Sequence, residues 1–117
     1  MQSLNSQIDL LGRLINASDL RQKVISQNIA NVNTPNYHRL DVEFESLLAQ
    51  ELQQQGTAAE ASPVIAETIG LTARSDGNNV DIDQEIGHLN KNALMQQVYL
   101  HLLRSELAEM KMAMKGT

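Results

Sequence analysis

The stretch that decides the fold runs from residue 26 to residue 37 and reads Ser26-Gln27-Asn28-Ile29-Ala30-Asn31-Val32-Asn33-Thr34-Pro35-Asn36-Tyr37. It ends a long amphipathic pattern, because Pro35 lacks a backbone donor and disfavours helical backbone at the residue before it. We expect Asn33 to cap the helix in the left-handed conformation and Asn36 to take positive φ in a type II turn. The asparagine amides can satisfy helix-end carbonyls or a neighbouring backbone. An ordinary helix C-terminus and a specialised joint are both open interpretations of this stretch.

Residues 4–32, which lead into this stop, are predicted to form a long helix. Apolar residues recur alternately four and three apart, with polar Ser18 and Gln22 in the same row. This heptad-like spacing indicates a seam that packs against another helix, and the helix would be about 43 Å long. The seam residues are Leu4, Ile8, Leu11, Ile15 and Ile25, continued by Ile29 and Val32.

A second long helix is predicted after the turn at residues 75–79, with Asp81 as its N-cap and Gln84 at the third helical position. Its seam is Ile86, Leu89, Ala93, Gln96, Leu100, Leu103, Leu107 and Met110, with Ile82 and Met114 at the ends. Gln96 is the polar member of this seam. A buried polar residue can set register and partner choice, or the side chain can reach the rim of the seam, and both interpretations are open.

The middle of the chain is shorter and more polar. Residues 40–44 alternate apolar and acidic side chains, which is typical of a strand, and Leu47, Leu48 and Leu52 follow with helical spacing. Residues 53–63 have the composition of a polar connector, and residues 64–72 are predicted to form a further strand or extended arm. The resulting division is an N-terminal assembly helix with its turn (1–37), a connector arm (38–75) and a C-terminal assembly helix (76–117). The fold class is mainly α, with the terminal helices forming a coiled-coil hairpin.

Composition excludes several classes of function. The net charge is −5 without any run of Lys or Arg, so no nucleic-acid-binding surface is predicted. The chain contains no cysteine, which excludes disulfides and thiolate metal sites. No apolar stretch approaches the roughly 18 residues that span a bilayer, and no cleaved secretory signal is evident. We expect a chain without a membrane span of its own.

No constellation of residues predicts catalysis, a cofactor or a metal. A calcium loop starting at Asp76 would place Asp81 where glycine is needed and Gly87 where a bidentate glutamate is needed, so a turn followed by a helix cap is the better interpretation. His38, His88 and His101 lack the spacing of a helical zinc site. We therefore predict a protein that is not an enzyme.

The two amphipathic helices lie at opposite ends of a small chain, and one pairing between them would leave much of both stripes in water. Full burial of a Leu or Ile is worth roughly 1.5–3 kcal/mol. The pattern therefore predicts a subunit whose terminal helices pack against copies of themselves or close relatives.

The motif around the stop closely resembles the N-terminal signature of bacterial flagellar rod and hook proteins. That signature reads Asn-Ile-Ala-Asn, one variable residue, Asn or Asp, and Thr-Pro-Gly-Tyr; here Asn36 replaces the glycine. Residues 78–83 and the helix after them are similar to the second half of the same signature, and the ending resembles the small proximal rod proteins more than FlgC. The assembly motif implied by the resemblance is Asn28, Ile29, Ala30, Asn31, Asn33, Thr34, Pro35, Asn36 and Tyr37.

The resemblance implies a structural subunit of the basal-body rod, the drive shaft that crosses the periplasm, exported by the flagellar type III system without a cleaved signal peptide. It also implies contacts with copies of the chain, with FlgC-like and FlgF-like rod proteins, with the adaptor FliE, and with the MS ring and export gate. A FlgC-like subunit and a soluble helical adaptor or chaperone are the alternatives.

Overall fold

A computed structural model describes residues 2–55 and 61–116 of the chain. The protein is mainly helical, with two long terminal helices packed together around a small middle region, as the sequence predicted. The elements in chain order are α1 (Gln2–Ala30), β1 (Leu40–Glu43), α2 (Glu45–Gln55), β2 (Val64–Glu67) and α3 (Ile82–Lys115).

Helix α1 ends at Ala30, two residues earlier than predicted, and a turn occupies residues 31–36. Asn36 has φ 62° and the amide of Tyr37 donates to the Thr34 carbonyl at 3.2 Å, which confirms the turn after Pro35. The expectation of a left-handed Asn33 is wrong, because Asn36 alone among the described non-glycine residues has positive φ. The chain leaves the helix instead through hydrogen bonds between residues three apart. The Val32 amide donates to the carbonyl of Ile29 at the end of α1, and the Thr34 amide donates to the carbonyl of Asn31 in the turn.

The middle region is a two-stranded antiparallel sheet joined to a short helix. Leu40 of β1 lies opposite Glu67 of β2, and Glu43 lies opposite Val64. The two short strands and the helix at residues 45–55 follow the alternating and helical patterns of the sequence. The predicted connector begins too early, because residues 53–55 continue α2 as its last residues; the connector at residues 56–60 lies outside the described part of the chain.

The hydrophobic core lies between α1 and the middle region. Ala17, Phe44, Leu48 and Ala61 form a buried cluster, and Leu10 and Leu14 of α1 pack against it. The middle region therefore buries Phe44, the only phenylalanine in the chain, against one face of α1. Since α3 covers a different face of the same helix, α1 is the central element of the fold. In the described residues no helix has both the length and the apolar character needed to cross a bilayer.

Candidate assembly interface

The contact between α1 and α3 is polar along much of its length. Asn92 donates to the Ser18 carbonyl at 2.9 Å and to Gln22 Oε1 at 3.1 Å. Toward the other end of the hairpin, the Gln7 side-chain amide lies 2.8 Å from Glu106 Oε2, an arrangement in which the amide nitrogen donates when it faces the carboxylate. Residues nearer the start of α1 lie beside residues nearer the end of α3, so the two helices of the hairpin are antiparallel.

The less exposed residues of α3 recur alternately four and three apart and define the face that meets the rest of the chain. They are Glu85, Leu89, Asn92, Gln96, Tyr99, Leu103, Glu106 and Met110. Every second residue of this row also belongs to the seam predicted for α3, namely Leu89, Gln96, Leu103 and Met110. The remaining members of the predicted seam each lie one residue further along and are exposed: Ile86, Ala93, Leu100 and Leu107.

The exposed members form an apolar row on the surface of α3, which we call the exposed stripe; it consists of Ile82, Ile86, Ala93, Leu100, Leu107 and Met114. Ile86 and Leu107 are each 46% exposed and Met114 is 70% exposed. On α1 the predicted seam lies inward instead, since Leu11 and Ile25 are buried and Ile8 and Ile15 are half-buried. The side chain of Leu4 lies outside the described part of the chain. The role of both seams in assembly stays a prediction.

Gln96 lies at the edge of the hairpin. Its side chain is half-buried and its amide donates to Oδ1 of Asp19 on α1. The bond joins the two helices within one chain, so in the isolated subunit Gln96 contributes to the pairing of α1 with α3.

The asparagine joint, formed by residues 28–39 and 74–85, connects both long helices to the middle region. The completely buried Asn28 lies at the centre of the joint. Its side chain forms with the backbone of β1 the pair of hydrogen bonds that a neighbouring strand would form. Its Nδ2 donates to the Leu40 carbonyl at 2.8 Å, and its Oδ1 accepts from the Leu40 amide at 3.0 Å. The same amide group also accepts from the Tyr37 hydroxyl at 3.1 Å and donates to Glu85 Oε2 at 3.3 Å. All the hydrogen-bonding capacity of Asn28 is therefore used.

A buried ion pair lies next to Asn28. Arg39 Nε donates to Glu85 Oε1, with the arginine side chain 5% exposed and the glutamate side chain 0% exposed. Arg39 also donates to Thr68 Oγ1 at 2.8 Å, and its backbone amide donates to Asn79 Oδ1 at 2.6 Å. The pair joins the start of α3 to the middle region across 46 residues of chain.

The charge on Glu85 also acts on the tyrosine of the motif. Burial raises the pKa of Tyr37, and the negative charge of Glu85 raises that pKa further. The Tyr37 hydroxyl therefore stays protonated around neutral pH and remains a donor to Asn28.

Asn78 closes the other side of the joint by binding the turn that follows α1. It is completely buried, and its Nδ2 donates to the carbonyls of Asn31 and Thr34 at 2.8 and 2.9 Å. Arg74 adds a further bridge, since its guanidinium donates to the Val32 and Val80 carbonyls. These carbonyls belong to the turn at residues 31–36, so side chains from the second half of the chain add donors to the turn that follows α1.

The loop after α1 and the loop before α3 also contact each other through backbone hydrogen bonds. The Asn36 amide donates to the Asp76 carbonyl at 2.9 Å, and the Asn79 amide donates to the Tyr37 carbonyl at 3.3 Å. Asp76 Oδ1 accepts from the Asn78 amide, while Asp81 Oδ1 accepts from the amides of residues 83 and 84. The sequence 76–83 is therefore a turn followed by a helix cap, as the sequence analysis preferred over a calcium loop.

Gly77→Ala is expected to disrupt this meeting of loops. Gly77 has φ 85°, and a β-carbon there would lie 2.2 Å from Asn36 Oδ1 and 3.2 Å from Asn36 Cα. Left-handed backbone costs an L-residue about 1 kcal/mol or more, and the clash adds to it. We expect a lower midpoint in urea unfolding followed by circular dichroism. Gly87→Ala, in α3 with nothing within 4 Å of its β-carbon, should raise the midpoint; equal behaviour of both variants would contradict the proposed contact.

The motif residues fall into two groups. Asn28, Asn31 and Tyr37 point into the joint or along the helix end, with Asn31 Nδ2 donating to the Gln27 carbonyl at 2.8 Å and Ile29 half-buried beside it. The others are exposed: Ala30, Asn33, Thr34, Pro35 and Asn36. The structure thus assigns hydrogen-bonding roles to some asparagines of the motif and leaves the exposed ones available to a neighbour.

Sequence reasoning missed the long-range contacts made by four residues: Arg39, Arg74, Glu85 and Asn92. Glu85 and Arg74 bind the motif stretch directly, at Asn28 and at the Val32 carbonyl. Arg39 binds Glu85, and Asn92 binds Ser18 and Gln22 of α1. Glu85 lies in the first turn of α3, where a carboxylate also interacts favourably with the helix dipole. A signal was present, because Glu85 and Asn92 lie one heptad apart with Leu89 between them. Two polar residues at equivalent heptad positions are what a polar row facing a partner helix requires.

A second ion pair attaches α2 to α1. Arg21 donates to both carboxylate oxygens of Glu45 at 2.9 and 2.8 Å, and to the Val42 carbonyl at 3.0 Å. Partial burial acts to raise the pKa of Glu45, but the hydrogen bonds and charge of Arg21 outweigh it and lower the pKa below its usual value. This carboxylate is therefore ionised around neutral pH and keeps its bidentate contact with Arg21.

Comparison with known proteins identifies the family of this chain. A family model described as "Flagella basal body rod protein" matches residues 14–38, which contain the central part of α1 and the motif. The chain is 31% identical over 109 residues to the flagellar basal body rod protein FlgB of Aeromonas hydrophila, covering 82% of this chain and 83% of that protein. It is 28% identical over 127 residues to FlgB of Bacillus subtilis (99% and 98% covered) and 30% identical over 129 residues to FlgB of Borreliella burgdorferi (90% and 96% covered). The chain belongs to the FlgB family of flagellar basal body rod proteins.

Proposed function

We propose that the chain is a structural subunit of the flagellar basal-body rod that polymerises through its terminal helices, with the exposed stripe of α3 buried by neighbouring subunits. The observation that carries the proposal is the stripe itself. Leu100 and Leu107 are 37% and 46% exposed, whereas α1 presents polar residues such as Ser18 and Gln22 to α3. A helix pair that includes polar pairs in its contact and leaves an apolar row outside is suited to association with further helices.

The partners that fit this role are copies of the chain, FlgC-like and FlgF-like rod proteins, the adaptor FliE, and the MS ring with its export gate. The rod would lie in the periplasm and its subunits would be exported by the flagellar type III system without a cleaved signal peptide. The absence of cysteine supports export of an unfolded chain, since no disulfide restricts threading. We propose residues 1–37 and 76–117 as the assembly helices and residues 38–75 as the arm between them.

The test substitutes two exposed residues of the stripe and leaves the residues that join α1 to α3 unchanged. We expect Leu100→Asp combined with Leu107→Asp to abolish motility and to remove the chain from purified basal bodies. Loss of two apolar contacts worth roughly 1.5 kcal/mol or more each weakens association by about a hundredfold. The helical signal of the purified variant should match the parent, because both positions are exposed in the isolated subunit.

Ala108→Asp is the matched control, since it adds a charge at an exposed position of α3 outside the stripe. It should leave motility and incorporation unchanged. A motile double variant with normal incorporation would contradict the proposal, and so would a parent chain that does not copurify with basal bodies, which is the behaviour of a separate adaptor.

A further inference from the structure

The two strands of the small sheet differ in what covers their outer edges. In an antiparallel pair, residues that exchange hydrogen bonds across the ladder alternate with residues whose N–H and C=O groups point away from it. The Thr68 amide donates to the carbonyl of Arg39, the residue opposite, at 3.0 Å. Every second residue after this pair also bonds across the ladder, so the backbone groups of the residues between them point outward.

The outer edge of β1 is closed by side chains of the same subunit. Its outward residues are Leu40 and Val42. The Asn28 side chain bonds both the amide and the carbonyl of Leu40. The Val42 carbonyl accepts from Arg21 at 3.0 Å, and the Val42 amide donates to Asp41 Oδ1 at 2.8 Å. Each outward backbone group of β1 therefore has a partner, as the alternation requires.

The outer edge of β2 is open. Its outward residues are Ile65 and Glu67, which lie about 7 Å apart along the strand. Within residues 2–55 and 61–116, the backbone amides and carbonyls of these two residues have no hydrogen-bond partner, although the Glu67 carboxylate lies 3.7 Å from His38 Nδ1. Pro63 also lies on the outward side but has no N–H to offer. All four residues of β2 are exposed, and an edge of this kind is a template for a further strand.

One segment of the chain has the properties that complement this edge. It consists of Leu71, Thr72 and Ala73, which are exposed and belong to neither a helix, a strand nor a turn. In the part of the chain that the structure describes, their backbone groups also have no hydrogen-bond partner. The segment carries no charge, so no like charge would face Glu67. Arg74 follows it and is held at the joint by its bonds to backbone carbonyls.

We propose that residues 71–73 of one copy add to the outer edge of β2 in a neighbouring copy as a short antiparallel strand. This deepens the proposed function and rests on it, because it names a contact between the arms of neighbouring subunits. Strand addition takes its affinity from main-chain hydrogen bonds, and antiparallel pairing is the more stable direction. The contact is short, so the exposed stripe supplies most of the affinity and the strand fixes the orientation of one arm against the next.

The other candidate for this edge is β2 of a second copy. Such a pairing is two-fold, since it uses the same edge on both copies and leaves none for a third copy. Pairing of β2 with residues 71–73 joins two different surfaces, so every copy offers one of each and the contact can repeat along a polymer. Polymerisation through the exposed stripe therefore favours residues 71–73 as the occupant of the edge.

The first test is disulfide cross-linking in basal bodies, which the absence of native cysteine makes possible. The register that gives both Ile65 and Glu67 a partner within the segment places Ala66 opposite Thr72 of the neighbour. This pair is not hydrogen-bonded, so its Cα atoms lie about 4.5 Å apart, a separation that a disulfide can span. Cells express two differently tagged copies, one with Ala66→Cys and one with Thr72→Cys, and we expect oxidation to give dimers that carry both tags.

Two comparison pairs decide the outcome. Ala66→Cys with Ala49→Cys measures chance contact, since Ala49 is exposed on α2, and Ala66→Cys in both copies measures the two-fold pairing of β2. Each should give several times less dimer than the proposed pair. If the chain is present in basal bodies and either comparison pair cross-links as well as the proposed pair, the strand addition is wrong while the rod assignment stands. If the chain is missing from basal bodies altogether, the proposed function fails and the strand addition fails with it.

The second test removes a backbone donor of the open edge. Ile65→Pro deletes an N–H that points away from β1, and proline is tolerated at such edge positions. Its midpoint in urea should stay near that of Ile65→Val, which keeps the donor, while its recovery in basal bodies should be about fivefold lower, the effect of one lost hydrogen bond. Ala66→Pro deletes an amide of the ladder and should lower the midpoint instead. Equal recovery of the two Ile65 variants would overturn the strand addition, and a midpoint of Ile65→Pro as low as that of Ala66→Pro would overturn the outward position of Ile65.

Discussion

Arg39→Met is expected to destabilise the subunit by about 3–5 kcal/mol, the cost typical of breaking a buried ion pair from one side. The substitution leaves the Glu85 carboxylate completely buried beside an apolar side chain, with the Asn28 amide as its remaining side-chain donor. Domains of this size have total stabilities of about 5–15 kcal/mol, so a loss of this magnitude removes much of the folded population. Urea unfolding followed by far-ultraviolet circular dichroism measures the shift.

A double variant separates the buried charge from the loss of packing. Arg39→Met combined with Glu85→Leu removes both charges, and replacement of a buried ion pair by apolar residues is often close to neutral. We therefore expect the double variant to be more stable than Arg39→Met alone, even though it carries more changes. Lys23→Met removes one positive charge from an exposed position and should stay within about 0.5 kcal/mol of the parent. A double variant less stable than the single one would show that the ion pair is not the source of the effect.

Asn28→Ala should have the second-largest effect, at least about 3 kcal/mol. It removes the partners of both the amide and the carbonyl of Leu40, and each buried backbone group left unsatisfied costs about 1–3 kcal/mol. The Tyr37 hydroxyl loses its acceptor at the same time. Because these bonds attach β1 to α1, amide hydrogen exchange should accelerate first in β1 and β2, and the loss of stability should appear in urea unfolding.

Asn28→Asp tests whether the amide donors matter. The side chain keeps its shape but loses the two N–H groups that face the Leu40 carbonyl and Glu85, and it adds a negative charge beside a buried carboxylate. We expect Asn28→Asp to be at least as destabilising as Asn28→Ala. Asn33→Ala is the matched control, since Asn33 belongs to the same motif and is exposed. If Asn33→Ala lowered the unfolding midpoint as much as Asn28→Ala, the central position of Asn28 in the joint would be refuted.

These expectations give the motif a physical role. Its buried Asn28 and half-buried Tyr37 hold the arm to α1. Glu85 and Asn78 bring the start of α3 to the same place. The joint therefore orients the acidic arm relative to the long hairpin. If the chain polymerises as proposed, a change in that orientation would be repeated at every subunit.

The local features of the fold follow from the sequence alone because their causes are local. The stop after α1 comes from Pro35, the positive φ at Asn36 comes from the turn that follows proline, and the start of α3 comes from the Asp81 side chain capping the next amides. Heptad spacing also predicts that both terminal helices have a packing face. In each case the deciding interaction joins residues at most four positions apart, and the sequence displays such interactions directly.

The tertiary structure alone decided which face of α3 meets α1 and which polar residues are buried. Two rows on α3 have the same spacing and share Leu89, Gln96, Leu103 and Met110, so periodicity cannot choose between them. The choice follows from α1, whose Ser18 carbonyl, Gln22 and Asn28 accept from or donate to Asn92 and Glu85. These partners lie 57 to 74 residues apart in the chain, and their pairing depends on desolvation at a contact that exists only after folding. Hydrophobicity predicts that the apolar row of α3 needs a partner, whereas hydrogen bonding inside the subunit places that row on the surface.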